Sequence, residues 1–376
     1  MANIVRDLSA HSGRLERWLG ADKVAQLSGN MRGWYGPPVA LVDVPGAVRV
    51  GGDGDFTGRV RHGGFAGVLD IAEDRLRALW RGAGRSGGQL NTGFASLSDV
   101  IARGSGGFGQ KLNGAVHKNG PSGGTSFCMS LWRVGAQPAA GSAGAAAPTG
   151  TAQTNASTGA MLFTNPASSN LRLTGIEMVA SVAGNTLMLY DRLFSVAKTM
   201  SSTATEAVTG VPTRYQSTTA TDENYIGGNF AFVEVGATLL ASTAHNWTVC
   251  QYVNQAGAGA TFPSMAGNSG AVADRFDHPL NQWFFPLASG DSGVGAITQM
   301  QCSASLTGSI NFVVAHPLGI ISFPVLSQLF SVDFITSTNI LPKIFDNACP
   351  ALFEMPKPSS TATNYTGLIH AIAAAT

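Results

Sequence analysis

The sequence predicts a mainly β fold, in which an antiparallel β-sandwich or jelly-roll-like region follows a smaller, Gly-rich α+β region with extended arms. About ten short apolar or alternating segments recur after residue 125, separated by Gly, Ser, Thr and Pro. Residues 126–376 carry only eight basic and 12 acidic residues, whereas residues 1–125 carry 15 basic and ten acidic ones. No segment repeats at a fixed period, which argues against a solenoid or a propeller. We therefore predict two domains, 1–125 and 126–376.

The first domain begins with short elements. Apolar residues at helical spacing predict short helices within residues 8–35, and two short strands follow at 39–44 and 48–50. The clearest helical pattern of the chain covers residues 65–81, with four apolar side chains on one face. Gly82 follows directly and is a common helix stop.

Two Gly-rich segments flank a short helix that is predicted to start at Ser96. Asp99 lies three residues after Ser96, a spacing typical of a capped helix start. The Gly-rich segments, 82–93 and 104–124, contain too few apolar side chains to build a core of their own. We predict that they are extended arms, which become ordered by lying along another surface.

The second domain shows the β pattern. Phe127, Met129 and Leu131 alternate with their neighbours, which is typical of a strand, and a loop rich in small residues follows at 138–158. Further strands are predicted at 161–164, 171–179, 186–196, 230–235, 247–253, 283–287, 298–303, 310–315, 319–326 and 344–354.

Charge and cysteine content limit the classes of function. The net charge of +1 argues against a dedicated nucleic-acid binder. The four cysteines are scattered without a CxxC pair, so we expect buried free thiols and no zinc site. No stretch reaches the roughly 20 apolar residues of a membrane span, and the first residues lack the apolar core of a signal peptide. The sequence therefore predicts a protein made in a reducing cytoplasm, with no membrane partner.

One motif resembles the nucleophile loop of trypsin-like serine proteases. It is Gly290-Asp291-Ser292-Gly293, with His245 upstream and both Asp274 and Asp277 between them. Such an enzyme brings Ser, His and Asp together from two barrels. Here the candidate His and Ser are only 47 residues apart, and Val294 replaces the glycine that follows in that family. We therefore interpret the motif as a polar turn and predict no catalytic residue.

The remaining candidate sites also have simpler explanations. Asp274, Asp277 and His278 precede a proline and fit a turn better than a metal site. Asp53 and Asp55 lack the distal Glu of a calcium loop. The glycine run 82–88 is not followed by the Gly-Lys-Ser/Thr of a phosphate-binding loop. The sequence therefore predicts no metal and no cofactor.

The basic helix and the arms are the predicted contact elements. Arginines recur along the 65–81 helix, and such a cluster is more often a solvated or subunit-contacting face than a nucleic-acid site. The candidate subunit contacts are Arg75, Arg77, Trp80 and Arg81 on the helix and the arms around Gly87 and Gly107.

One segment carries a resemblance to a known class of protein. The sequence TGIEMVASVAGNTLMLYDRL, from Thr174 to Leu193, resembles segments common in virion proteins of tailed bacteriophages. The run up to Gln216, rich in Ser, Thr and Ala, and the strand at 228–235 have the same character. The resemblance lies in composition and in a few short segments, and it includes no catalytic motif. It implies a capsid-associated or other structural virion protein, made in the host cytoplasm.

The resemblance and the low charge lead to one hypothesis and two alternatives. The hypothesis is a decoration, cement or minor capsid protein, whose partners are copies of itself, as a trimer, and the major capsid protein. In that role, the protein would stabilise the shell by burying surface between subunits. The first alternative is a tail, baseplate or fibre protein. The second is a virion-associated hydrolase, which the few and scattered acidic residues of the β region argue against.

Overall fold

Antiparallel strands make up most of the computed structural model. It describes residue 94 and residues 97–104, 111–123, 125–163, 169–268, 274–337 and 341–375. Every ladder between the strands of this part of the chain is antiparallel, so the predicted mainly β fold is confirmed. The helices and strands predicted before residue 94 lie outside the described residues.

The described residues contain two helices and 18 strands. The helices are α1 (Leu97–Gly104) and α2 (Phe334–Ser337). The first nine strands are β1 (Lys111–Gly120), β2 (Met129–Ser130), β3 (Ala136–Gln137), β4 (Thr151–Ala152), β5 (Ser169–Ala180), β6 (Asn185–Thr199), β7 (Glu206–Ala207), β8 (Phe230–Val235) and β9 (Asn246–Trp247). The other nine are β10 (Gln251–Asn254), β11 (Gly259–Thr261), β12 (Met265–Ala266), β13 (Val294–Met300), β14 (Ser309–Phe323), β15 (Leu329–Asp333), β16 (Lys343–Ile344), β17 (Pro350–Glu354) and β18 (Thr363–Ala375).

The first six-stranded sheet, called the outer sheet below, has the order β15-β5-β18-β1-β3, and β16 also pairs with β5. Its centre is β18, which pairs along one edge with β1 and along the other with β5. Three long strands therefore form most of this sheet, and its edges are the short strands β3 and β15.

The second six-stranded sheet, called the barrel sheet below, has the order β2-β17-β6-β14-β8, and β4 also pairs with β6. Its two edges are joined by the segment 274–277. Arg275 bridges to Met129 on the β2 side, and Phe276 bridges to Glu234 of β8 on the other. The Phe276 amide donates to the Cys128 carbonyl at 2.9 Å, which adds a further hydrogen bond on the β2 side. The curled sheet is therefore closed on itself, which removes its free edges.

A four-stranded sheet with the order β11-β10-β13-β7 and the pair β12–β9 complete the structure. This small sheet packs against the barrel sheet through a shared core. Phe312 and Val314 of β14 contribute to that core together with Tyr252 and Ile297 of the small sheet.

The barrel sheet also has its own interior and a second contact, with the outer sheet. Aromatic side chains fill the interior, where the rings of Phe232 and Phe276 stack at 4.3 Å. On the other side, one apolar cluster contains residues of both six-stranded sheets, so these sheets pack face to face. Its members include Leu173, Ile176 and Ile369 of the outer sheet and Leu187, Leu189 and Ile321 of the barrel sheet.

Several strand predictions are confirmed and others are wrong. The strands predicted at 171–179, 186–196 and 230–235 are all present as β5, β6 and β8. The segments predicted at 310–315 and 319–326 form one long strand, β14, because the Pro317 between them is accommodated at a register shift. No strand covers the described segment 283–287. Pro286 has no amide hydrogen to donate to a neighbouring strand, and Phe285 and Trp283 pack against the apolar core from a loop.

Two of the longest strands have little sequence signal. β1 lies within the predicted arm 104–124, and β18 includes the small, neutral tail of the sequence. Their inward positions carry small residues such as Gly114, Ala371 and Ala373, which are buried. The predicted arm is therefore corrected over 111–120, where it is a regular strand. The short helix predicted near Ser96 is confirmed as α1.

Candidate assembly surface

The predicted contact residues lie outside the described part of the chain. These residues are Arg75, Arg77, Trp80, Arg81, Gly87 and Gly107. Their role in subunit contact stays a prediction, and the candidate surface must be found among the described residues.

The residues of the protease-like motif are held in separate networks. The Ser292 amide donates to Gln255 Oε1 at 2.8 Å, and the Ser292 carbonyl accepts from the Gly228 amide. Asp291 accepts hydrogen bonds from Tyr252 and Asn254. These hydrogen bonds hold the loop as a turn between strands, as we interpreted it from the sequence.

His245 and Asp277 do form a close pair, although Ser292 has no hydrogen bond to either among the described residues. His245 Nε2 lies 2.9 Å from Asp277 Oδ2, and both side chains are buried. The Trp247 indole donates to the same oxygen at 2.9 Å, and the Asn268 amide donates to Oδ1 at 2.7 Å. A Cβ at position 267 would lie only 2.0 Å from His245 Nε2, so Gly267 permits this close approach.

The geometry of this pair indicates a charged histidine. His245 Nδ1 lies 2.9 Å from the Thr243 carbonyl oxygen, which can only accept. Both ring nitrogens therefore face acceptors, and both can donate only in the imidazolium form. Burial by itself would lower the pKa of His245. The hydrogen bond and charge of Asp277, with the Thr243 carbonyl, outweigh it and raise that pKa above its ordinary value.

Two further ion pairs lie on opposite faces of β6. Arg192 reaches Glu234 with two hydrogen bonds, of 2.6 and 3.2 Å, and its guanidinium lies 4.9 Å over the Trp132 ring. Asp191 accepts two hydrogen bonds from Arg214 and one from the Cys349 amide. All four charged side chains are buried. These networks fix the barrel sheet and the loops around it.

The cysteines are buried and free, as the sequence predicted. Burial raises the pKa of Cys250 to about 12 and that of Cys349 to about 12. Such thiols stay protonated at neutral pH and are poor nucleophiles. Among the described residues, no group of three or more His, Cys, Asp and Glu side chains could hold a metal ion. No helix of the described chain is long and apolar enough to cross a membrane.

The outer sheet presents one open face, which we call the candidate assembly surface. Its strands bury alternate residues against the barrel sheet and expose the others. Cross-strand neighbours on the exposed side are Ala115 opposite Leu368, Leu368 opposite Glu177, and Glu177 opposite Ser331. The surface comprises Asn113, Ala115, His117, Glu177, Val179, Leu329, Ser331, Thr366, Leu368 and His370.

Polar groups of this surface are mostly engaged with their neighbours. His370 Nδ1 lies 2.8 Å from Asn113 Oδ1, and its Nε2 lies 3.2 Å from Glu177 Oε2. His117 Nδ1 lies 2.9 Å from Thr366 Oγ1. These contacts link polar side chains of neighbouring strands across the exposed face.

Apolar side chains on this surface are exposed. Leu329 is 64% exposed and Leu368 is 38% exposed. The turn between β14 and β15 adds Val325 and Leu326, which are also exposed. A sheet face with several exposed apolar side chains is typical of a surface that packs against another protein.

Comparison with known proteins gives no family. No protein family model matches the chain. No curated protein matches it either. A structure of infectious bursal disease virus, Gx strain, aligns over 70% of this chain and 79% of that chain, with 10% sequence identity and a TM-score of 0.15. A TM-score at that level does not indicate a shared fold.

Proposed function

We propose that this protein is a structural protein of a tailed-bacteriophage virion, acting in the capsid as a decoration, cement or minor capsid protein. The observation that carries the proposal is the candidate assembly surface, a sheet face on which Leu329 and Leu368 are exposed. The resemblance of the segment from Thr174 to Leu193 to virion proteins supplies the class of assembly. The low charge of residues 126–376 fits the same role, since charge keeps soluble monomers apart.

The fold suits a load-bearing subunit. The barrel sheet is closed and crossed by buried ion pairs, so it provides a rigid support behind the outer sheet. The outer sheet then offers its exposed face for burial against a neighbouring subunit. Apolar surface that is removed from water in such a contact contributes about 25 cal/mol of stabilisation per Å². The partners are copies of this chain and the major capsid protein.

Location in the particle tests this proposal. Purified virions are imaged by cryo-electron microscopy, and density that fits the outer and barrel sheets is sought on the shell. We expect the chain on the capsid, with the candidate assembly surface covered. Density confined to the tail would replace the capsid role with the tail, baseplate or fibre role, and absence of the chain from particles would overturn the proposal.

A charge placed on the surface provides a second test. In Leu329→Asp, a carboxylate would have to be desolvated in the contact, so we expect incorporation into particles to fall by about tenfold or more. Val211→Asp is the matched control, because Val211 is 55% exposed and lies in a loop that is not part of the outer sheet. Incorporation is measured by quantitative mass spectrometry of purified particles. Equal incorporation of both variants would exclude this surface as the contact.

A further inference from the structure

Two side-chain amides inside the barrel sheet each have one polar atom without a partner. Gln153 and Asn311 are both only 1% exposed. Among the described residues, neither Gln153 Oε1 nor Asn311 Nδ2 has a hydrogen-bond partner. A buried polar group is unfavourable unless it is hydrogen-bonded, so each of these atoms calls for a partner.

The other atom of each amide is already bonded. Asn311 Oδ1 accepts a hydrogen bond from the Gly144 amide at 3.2 Å, and this bond fixes the orientation of the Asn311 amide. Gln153 Nε2 lies 2.8 Å from Ser195 Oγ. Turning the Gln153 amide by 180° would only change which of its atoms is left over, because the Ser195 hydroxyl can donate or accept. Each amide therefore has one atom to satisfy.

The two amides share the interior of the barrel sheet. Asn311 lies two residues before Val313 on β14, so both face the same side, and Val313 belongs to the interior cluster. Ser195, the partner of Gln153, is paired with Val313 across the ladder of β6 and β14. Gly144 lies beside both amides, since it bonds Asn311 and a Cβ at its position would lie 2.7 Å from Ser195 Oγ.

We infer that a buried water molecule bridges Gln153 and Asn311 inside the barrel sheet. The bridging molecule must donate to an oxygen and accept from an N–H group, and water does both. It must also be neutral. The amides carry no charge, and Glu234, which is paired with Asn311 across β14 and β8, already binds Arg192 with two hydrogen bonds. An ion would therefore have no countercharge left to pair with.

A second pair of atoms in the same interior does not need this water. Tyr190 Oη and Arg192 Nε also have no aligned hydrogen bond among the described residues, but Tyr190 and Arg192 interact with one another. Gln153 and Asn311 lack such a neighbour. The water ties the loop after β4 to β14, two strands that do not pair with each other. This site is independent of the proposed function.

Water-selective NMR spectra of the isotope-labelled full chain test the site. Nuclear Overhauser and rotating-frame spectra together separate dipolar transfer from hydrogen exchange. We expect dipolar transfer from a long-lived water to the Asn311 side-chain amide. Gln153→Met removes the acceptor, so this signal should be lost. Gln216→Met is the matched control, because the Gln216 amide donates to the carbonyl oxygens of Tyr215 and Gly295, and it should leave the signal in place.

A crystal structure of the wild type at a resolution that shows ordered water provides a second measurement, which holds even if Gln153→Met does not fold. We expect one isolated density peak within hydrogen-bond distance of both amides. A dry interior without the NMR signal would overturn the inference, as would a direct hydrogen bond between Gln153 and Asn311. Density larger than one water would assign the site to another ligand, and loss of the signal in Gln216→Met would show that it does not report on this site.

Discussion

The two six-stranded sheets share one apolar cluster, but one is closed and the other is open, and a polar pair of each lies at a different depth. The barrel sheet closes through the segment 274–277 and buries complete ion pairs such as Arg192–Glu234. The outer sheet stays open and, besides the buried Arg172 of β5, which pairs with Glu223, it has a His370–Glu177 contact at the surface, where Glu177 is 47% exposed. A buried pair fixes one arrangement of strands, whereas an exposed pair leaves the surface free to contact another molecule. In the proposed function, the barrel sheet is the support and the outer sheet is the contact layer.

The largest effect is expected when one partner of the buried pair is removed. In Arg192→Met, the Glu234 carboxylate is left without its cation in the barrel interior, so we expect a loss of about 3–5 kcal/mol in unfolding free energy. Urea denaturation followed by tryptophan fluorescence measures it. Glu177→Gln is the control in the outer sheet, and it should cost at most about 1 kcal/mol. Similar losses in the two variants would contradict the contrast between the sheets.

The two faces of the outer sheet should also differ. Leu173→Ala removes a side chain with no exposure from the shared cluster, and we expect a loss of about 2–5 kcal/mol. Leu329→Ala removes an exposed leucine from the same sheet and should change the stability by at most about 0.5 kcal/mol. Denaturant unfolding of the dilute chain measures both. A large loss for Leu329→Ala would show that this residue is covered within its own chain.

A smaller effect is expected from pH at the His245–Asp277 pair. Because the pKa of His245 is raised above its ordinary value near 6.5, the folded state binds the proton more tightly than the unfolded state. The stabilisation is therefore complete below about pH 6.5 and is lost as pH rises through the folded-state pKa. His245→Gln should remove this part of the pH dependence, as measured by thermal unfolding from pH 5 to about pH 9. An unchanged profile would show that the pair does not titrate in this range.

His316 provides the comparison of opposite sign. Burial lowers the pKa of His316 to about 4, and its ring stacks on Tyr215 at a centroid distance of 3.8 Å. The unfolded state therefore binds the proton more tightly than the folded state. Its contribution is complete above about pH 6.5 and is lost as pH falls towards 4. His316→Gln should flatten the acid limb of the profile and leave the alkaline limb in place.

The sequence predicts those strands whose side chains carry a strong apolar or alternating pattern. β5, β6 and β8 are of this kind, and their bounds lie within a few residues of the expected ones. β1 and β18 were missed because Gly, Asn and Ala at their positions resemble loop and tail composition. Small residues are needed there because the outer sheet packs closely against its neighbours. At Gly114, an added Cβ would lie 2.8 Å from Met161 Sδ and 2.8 Å from Phe163 Cζ.

The candidate assembly surface could not be predicted from the sequence, because its residues come together only through strand pairing. Leu329 and Leu368 are 39 residues apart, and only the pairing of β15 and β18 with β5 places them on one face. The usable signal lies at Leu368 and His370, the two neighbours of Ile369. These alternate positions of the strand face away from the core, where polar residues are expected, and Leu368 is apolar.

The position of β18 has a consequence for biosynthesis. Both β1 and β5 pair with β18, so neither pairing can form before residues 363–375 have been synthesised. Until then, β1 and β5 of the nascent chain each have an unpaired edge. Their common partner, β18, begins more than 180 residues after the end of β5. The outer sheet is therefore completed only after translation has passed residue 375. In the proposed function, no subunit could present its candidate assembly surface before that point.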